Sequence, residues 1–363
     1  MKVRSGSIHI LVAYDLAFEI RLPQIPVLFG NRERDAARFA FLSKGVQRET
    51  QPVTLFLDSV RLELDGVTRD FDVSVSFFDV GAISLEFMAN IEDIGLDQLP
   101  RVAAAIQSSP HVLAKAQQIA QSVAEQAKPA LVSPGLANLA SVYTVFAVRK
   151  HEGSTHVDGI VRQLGPFVAQ TLRASEDRIG ERELESALTP FVTYSDQDVL
   201  FASTNVAVLF DETASDVVDI FELANAQSAE LRYVDARLDR ALQKLYEDNE
   251  ERPTLWQKLT NVFEAQLKRL NTLHLDATII VDRVENSFKF AQDSYLVQIH
   301  ELAIRKMLMQ SFLHGIERKL TAVREVVSDL RDRSSTTRME ILEWIVIILI
   351  AIEVIPALLK GLH

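Results

Sequence analysis

Apolar positions recur at two different periods along this chain, and the change from one to the other divides it. Ser7 to Ile20 alternates apolar with polar residues, is rich in β-branched side chains and leads to Pro23 and Pro26, which predicts a strand. Gln51 to Glu63 predicts another, with Leu55, Leu57 and Val60 apolar. The clearest pair is FDVSVSFFDVGAISLEFMANI, Phe71 to Ile91, apolar at every second position on both sides of a turn at Asp79 to Gly81. Strands joined this way form an antiparallel sheet by default. Leu99 to Ala130 then shifts to helical spacing through Val102, Ile106, Leu113, Ala116 and Ile119, with a break at Pro110. It supplies a helix to cover the sheet. KPALVSPG around Pro129 marks a crossover, Ser141 to Val148 and Asp198 to Glu212 return to strand character, and Glu181 to Leu188 reads as a short helix before Pro190. The expected fold of 1–212 is α+β: an N-terminal antiparallel sheet with covering helices.

From Thr213 the period is helical throughout. Val217, Phe221, Ala224, Leu231, Val234, Leu238 and Leu245 make one stripe, which predicts an amphipathic helix to Tyr246. EDNEERPT supplies the turn of a hairpin, Asp248 to Thr254. A second stripe then runs from Leu255 to Leu330 with no proline before Pro356, enough for a helix ~110 Å long if uninterrupted. Interruptions are expected near Gly315 or at Ser334 to Thr337. The layout predicted is an α+β domain over 1–212, a long coiled-coil-like helical hairpin over 213–338 and a C-terminal hydrophobic helix over 339–363.

That last segment holds the densest apolar run, WIVIILIAI, Trp344 to Ile352, between Glu343 and Glu353. Nine apolar residues cover about half of a ~30 Å hydrocarbon layer, whereas Ile341 to Leu359 covers about all of it. The longer span carries both glutamates, which fall within about 80° of each other on a helix and can face one partner surface. Glu343, Trp344, Ile348 and Glu353 are therefore the residues expected to anchor the chain or to bring copies of it together. Arg324, Arg331, Arg333 and Arg338 precede the run against Lys360 after it, a bias that keeps the N-terminal body cytoplasmic. A buried helix in a soluble oligomer is the other way to use the same residues.

Composition narrows the chemistry. A formal net charge of −12 over 363 residues argues against general nucleic-acid binding, which needs clustered Lys and Arg. The absence of cysteine excludes disulfides, iron–sulfur clusters, thiolate zinc sites and cysteine nucleophiles. The N-terminus lacks the uninterrupted apolar stretch of a signal peptide and the Arg/Ser bias of a transit peptide, so a bacterial inner membrane is expected before a mitochondrial one. HEGSTH, His151 to His156, has the wrong spacing for a zinc peptidase, and His300 and His314 would stand about 21 Å apart along a helix. No Walker or dinucleotide loop occurs, and no cofactor is expected. One constellation remains: Asp235 and Asp239 at i, i+4 near Glu230, Tyr233 and Arg237, with Asp276 and Asp282 on the following helix. These carboxylates read as a solvated, arginine-paired face. Brought together by the hairpin, Glu230, Asp235, Asp239, Asp276 and Asp282 would instead ligate Mg²⁺ or Mn²⁺ in a soluble oligomeric enzyme.

Two stretches carry a family resemblance. LEWIVIILIAIEV, Leu342 to Val354, resembles the C-terminal signature of the YagE-like "required for meiotic nuclear division" (RMD) family, a family of unknown function. ELANAQSAELRYVDARLDRALQKLY, Glu222 to Tyr246, resembles a helix of the same family. The resemblance implies a homo-oligomeric protein held to a membrane by its C-terminal helix. Eukaryotic relatives sit at the mitochondrial inner membrane and support translation there; the helical hairpin is expected to provide the surface for self-assembly or for an unidentified protein partner. No activity is established for that family, so it supplies no catalytic residues.

Overall fold

A computed structural model describes residues 1–30, 51–135, 139–250, 262–286 and 293–328, together with 32, 34–35, 38–39, 41, 343 and 346–347. Two compact units emerge: Met1–Tyr233 with Ile280–Leu313, and Val234–Ile279 with His314 onward.

The first unit is built on an eight-stranded sheet. In chain order its strands are β1 (Lys2–Asp15), β3 (Arg34–Asp35), β4 (Val53–Leu64), β5 (Val67–Phe77), β6 (Ala82–Gly95), β8 (Ala140–His151), β9 (Val199–Ala202) and β10 (Val206–Phe210). They lie in the spatial order β3-β4-β5-β6-β1-β8-β10-β9. β2 (Ala17–Ile20) and β7 (Leu131–Pro134) form a separate antiparallel pair. The sheet is mixed rather than purely antiparallel, because β10 pairs in parallel with β8. A parallel neighbour requires a crossover, and α4 (Val157–Arg173) provides it. The sequence pattern hides α4 behind Gly159, Gly165 and Pro166; a Cβ on Gly165 would stand 2.8 Å from Leu188 Cδ1, so this glycine serves close packing.

Alternation gives the sheet two different faces. Ile8, Ile10 and Val12 of β1, Val73 and Val75 of β5, and Leu85 and Phe87 of β6 point to one side. There they meet α2 (Leu99–Ser108), α3 (Pro110–Ala127) and α4 through Val102, Ile106, Ala116, Ala120, Ile160 and Leu164; the short helices α1 (Ile25–Phe29) and α5 (Glu181–Ala187) precede α2 and follow α4 in the chain. Pro110 opens α3 behind the Ser109 cap, where proline costs no hydrogen bond. The other face presents Ser7, His9, Ser74, Ser76, Ser84, Glu86 and Ser141. It is closed by α6 (Ser215–Glu250), whose Asn225 donates to the carbonyls of Leu11 and Ser141 and whose Phe221 stacks on Tyr143.

The β5–β6 turn falls where the pattern places it. Gly81 has φ +104, and a Cβ there would come 1.9 Å from the Ala17 carbonyl oxygen, so no other residue fits. The second long helix does not run unbroken. It is divided into α7 (Val262–Asn286), α8 (Ser294–Lys306) and α9 (309–328). Asp293 caps α8 by accepting from Tyr295 N at 2.8 Å, and Leu308 takes φ 59 between α8 and α9. Gly315 lies inside α9, not at a break. α8 returns to the sheet edge at β9, with Leu296, Ile299, Leu302 and Ala303 buried.

α6 passes from one unit to the other at Tyr233, so the boundary falls within the helix rather than before it. The physical reason is burial: every residue from Val217 to Leu231 is buried, which ties this half of α6 to the sheet. The second unit is helical among its described residues, with Val234, Leu238, Leu270, Leu273, Ala277, Ile316 and Val323 buried. Most of the hydrophobic segment 339–363, including Trp344, Ile348 and Glu353, lies outside the described residues.

Candidate functional site

The polar face of the sheet holds the densest cluster of ionisable groups described in the chain. Arg38 enters between the sheet and α6. Its guanidinium donates from Nη1 to Glu86 of β6, from Nε to Asp219 and from Nη2 to Glu222 of α6. The Arg38 side chain is 14% exposed and its three carboxylates 8% or less. Phe39, beside it, has φ 58, an uncommon conformation for a bulky residue. It is held there by its N–H donating to Asp219 Oδ2 at 2.7 Å and by an edge contact with Phe78 at 5.5 Å. Glu86 also bonds His9 Nδ1 at 2.7 Å and accepts from the Ser74 hydroxyl at 3.2 Å, while His9 Nε2 meets the Ser7 hydroxyl at 2.8 Å.

One guanidinium cannot neutralise three carboxylates, and the shifts follow from that. Burial alone would raise the Glu86 carboxyl, but Arg38 and His9 reverse it and hold Glu86 well below the usual carboxylate range. Burial pushes Asp219 up to about 6 and Glu222 up to about 8 against the pull of Arg38. Glu222 keeps Oε1 without a partner, next to the Ser84 hydroxyl. The arrangement is a closed ionic cluster that locks β1, β6, α6 and the Arg38 segment together. None of these residues stands out in the sequence. Ser7, His9, Ser74, Ser84 and Glu86 occupy alternate positions that mimic a solvent face; the available signal is that none of them is a lysine.

An open groove of about 780 Å³ lies at the carboxyl ends of the parallel strands β8 and β10. His151 packs edge-on to Phe210 at 5.1 Å, and Asp198 accepts from the backbone of Tyr194 and Ser195 and from the Tyr295 hydroxyl at 3.3 Å. Burial, reinforced by Asp198, raises the Tyr295 phenol. Asp211 caps Thr213, and Asp293 caps α8. Asp198, Asp211 and Asp293 are thus engaged by the chain itself, while Glu212 and Asp216 also line the groove.

The acidic residues singled out from sequence separate into different settings. Glu230 is fully buried against the sheet in the first unit, to which exposed Asp282 also belongs. In the second unit Asp235 and Asp239 both pair with Lys319 at 2.7 Å, and Asp276 pairs with Arg237 at 3.7 Å. Among the described residues no three His, Asp or Glu side chains are arranged to hold a metal. His151 ends β8 and His156 precedes α4, on separate elements. His300 is buried, and burial lowers its imidazole to about 4; His314 is exposed. Of the proposed anchor residues only Glu343 is described, and it is exposed. Among the described residues no helix is long and apolar enough to cross a membrane.

These features define an α+β body on a mixed sheet, with a buried arginine–carboxylate cluster under its closing helix. The chain belongs to the family described as "Uncharacterized protein MJ0711, N-terminal domain", whose model matches residues 5–216. It is also similar to the "Uncharacterized protein MJ0711" of Methanocaldococcus jannaschii, 22% identical over 224 residues, covering 60% of this chain and 66% of that protein. No solved structure matches. The family match contains His9, Arg38 and Glu86 and ends at the start of α6, so Asp219 and Glu222 lie just beyond it. Glu222 to Tyr246 and Leu342 to Val354 lie beyond it as well, and the family matched is not the RMD family.

Proposed function

We propose that this protein is a non-catalytic, oligomeric assembly protein whose α+β body is carried on long helices ending in a membrane-attached C-terminal segment. The observation that carries this reading is the Arg38 cluster. The most concentrated polar chemistry of the body is turned inward and occupied by the chain's own groups, whereas a catalytic set needs access to a reactant. Support for attachment comes from the apolar run Trp344 to Ile352 with its flanking basic residues and from the RMD resemblance of Leu342 to Val354. Glu343 and Glu353, on one side of a helix, favour association of copies through the same segment.

Membrane fractionation tests this. The full-length chain is compared with a truncation ending at Arg338 under high-salt and alkaline washes, and the solubilised material is then sized. Full-length protein is expected to resist both washes and to run as an oligomer, with the truncation released. Recovery of both proteins in the soluble fraction would overturn the attachment.

A further inference from the structure

The two edges of the large sheet are finished differently. At one edge β9 is closed by Val192, which forms a bridge with Leu200, and by α8 packed alongside. At the other, β3 covers β4 only at Thr54 and Leu55. Beyond the bulge between Leu57 and Val60, the outer side of residues 60–64 has no strand beside it among the described residues. The turn that follows decides which backbone groups face that open side. Asp65 and Gly66 take φ 52 and φ 69, the type I′ conformation of a two-residue hairpin, so the Leu64 carbonyl turns inward to the Val67 N–H. Alternation then directs the N–H and C=O of Val60 and Leu62 towards β5 and those of Arg61 and Glu63 outward.

An open row of donors and acceptors is a template for another strand, and native edges are commonly guarded by like charges that repel one. Here the outer pair is of opposite sign: the Arg61 side chain is 77% exposed, and Glu63 is exposed two residues on. Leu62 and Leu64 are buried on the opposite side of the strand, with Val60 half-buried. A two-fold axis through the sheet keeps the core faces of two copies on one side, so residues of the same parity must oppose each other across it. Centred on Arg61, the pairing sets arginine against arginine; centred on Glu63, it sets glutamate against glutamate. Centred on Leu62, it opposes Arg61 to Glu63, Val60 to Leu64 and Leu62 to itself. Charge, apolar contact and backbone hydrogen bonding are all self-complementary in that register.

We propose that residues 60–64 of β4 pair antiparallel with the same residues of a second copy of this chain, about a two-fold axis at Leu62, so that two α+β bodies share one continuous sheet. Arg61 of each copy and Glu63 of the other exchange both backbone hydrogen bonds and set their opposite charges side by side. Arg61 already pairs with Asp70 of β5 at 2.7 Å through Nε, which leaves its terminal nitrogens to face the second glutamate. The contact is made by the body and does not use the C-terminal segment. A pairing this short is weak on its own, so register rather than size is the property to read.

The chain contains no cysteine, so introduced thiols are the only ones present. Full-length Arg61→Cys and Glu63→Cys chains are co-expressed, each is also expressed alone, and all three samples are mildly oxidised. Opposed residues in the proposed register stand about 5.5 Å apart at Cα, within disulfide reach, whereas identical residues lie diagonally at about 7–8 Å, beyond it. Covalent dimer is expected in the co-expressed sample at about ten times or more the yield of either variant alone. Copies held together only by their C-terminal segments would show no such preference, which separates this contact from the attachment proposed above. Absence of dimer from the co-expressed sample, or equal yields in all three, would overturn the pairing. Hydrogen exchange at the backbone amides of residues 61 and 63, corrected for intrinsic rates, gives a second readout on the full-length chain. Arg61→Glu sets like charges opposite each other and is expected to speed this exchange about tenfold, and Arg61→Glu combined with Glu63→Arg is expected to restore it. Equal exchange in the wild type and both variants would likewise count against the pairing.

Discussion

A guanidinium buried among three carboxylates stabilises a fold only while most of the negative charge is absorbed. Removing Arg38 would strand Glu86, Asp219 and Glu222 in the interior, a change that costs about 3–5 kcal/mol in comparable buried pairs. Lysine is a poor substitute, since only the planar fork of arginine reaches several carboxylates at once. The cluster also predicts a pH profile. Asp219 and Glu222 are raised in the folded state, to about 6 and about 8, so their contribution is complete below the ordinary carboxylate range. It is lost as pH rises through about 6 and then about 8. Glu86 is lowered and acts in the opposite sense, its contribution disappearing as acid protonates it. Stability measured by urea denaturation is therefore expected to be highest in mildly acid solution and to fall towards pH 8. Glu222→Gln should flatten the alkaline side; an unchanged profile would show that Glu222 does not titrate in the fold. These residues were illegible in the sequence because alternate Ser and His positions on a strand look the same whether water or a polar helix covers them.

At the scale of elements, local chemistry was the better guide. The β5–β6 turn, the break at Pro110 and the strands β1, β4, β5 and β6 follow from alternation and from proline and glycine geometry, whereas β3 and the separate β2 do not. Gly81→Ala is expected to destabilise the protein by about 2 kcal/mol or more, because φ +104 is strained for alanine and the added Cβ meets the Ala17 carbonyl. A thermal midpoint within a degree of wild type would show that the turn can shift. α4 escaped the pattern because Gly165 and Pro166 signal a loop locally, while packing against Leu188 and the sheet outweighs that preference. The interruptions of the second long helix escaped for the opposite reason. Apolar spacing continues through Asp293 and Leu308; a capping side chain marks the first break and a left-handed residue the second, and neither is written in the stripe.

For the whole molecule, the consequential fact is that the first unit takes a piece from far along the chain. Ile280–Leu313 belongs with Met1–Tyr233, and α8 buries Leu296, Ile299, Leu302 and Ala303 at the β9 edge while Tyr295 bonds Asp198. A fragment ending at Tyr233 leaves these contacts unmade. Each large apolar side chain contributes about 1.5–3 kcal/mol, so the fragment is expected to unfold at a clearly lower temperature than a chain ending at Leu313 and to bind a hydrophobic dye. Equal melting of the two fragments would show that α8 is dispensable to the body.

The sequence by itself determined the fold class and the position of most strands, because period and turn chemistry are local properties of the backbone. It also determined that cysteine is absent and that Trp344 to Ile352 is a dense apolar run. Only the tertiary structure decided that β8 and β10 run parallel, that α6 is buried on all sides from Val217 to Leu231, and that Arg38 meets Glu86, Asp219 and Glu222. Those outcomes depend on which residues far apart in sequence share one interior. There, removal of water turns ordinary polar positions into a charge cluster that must be balanced group by group.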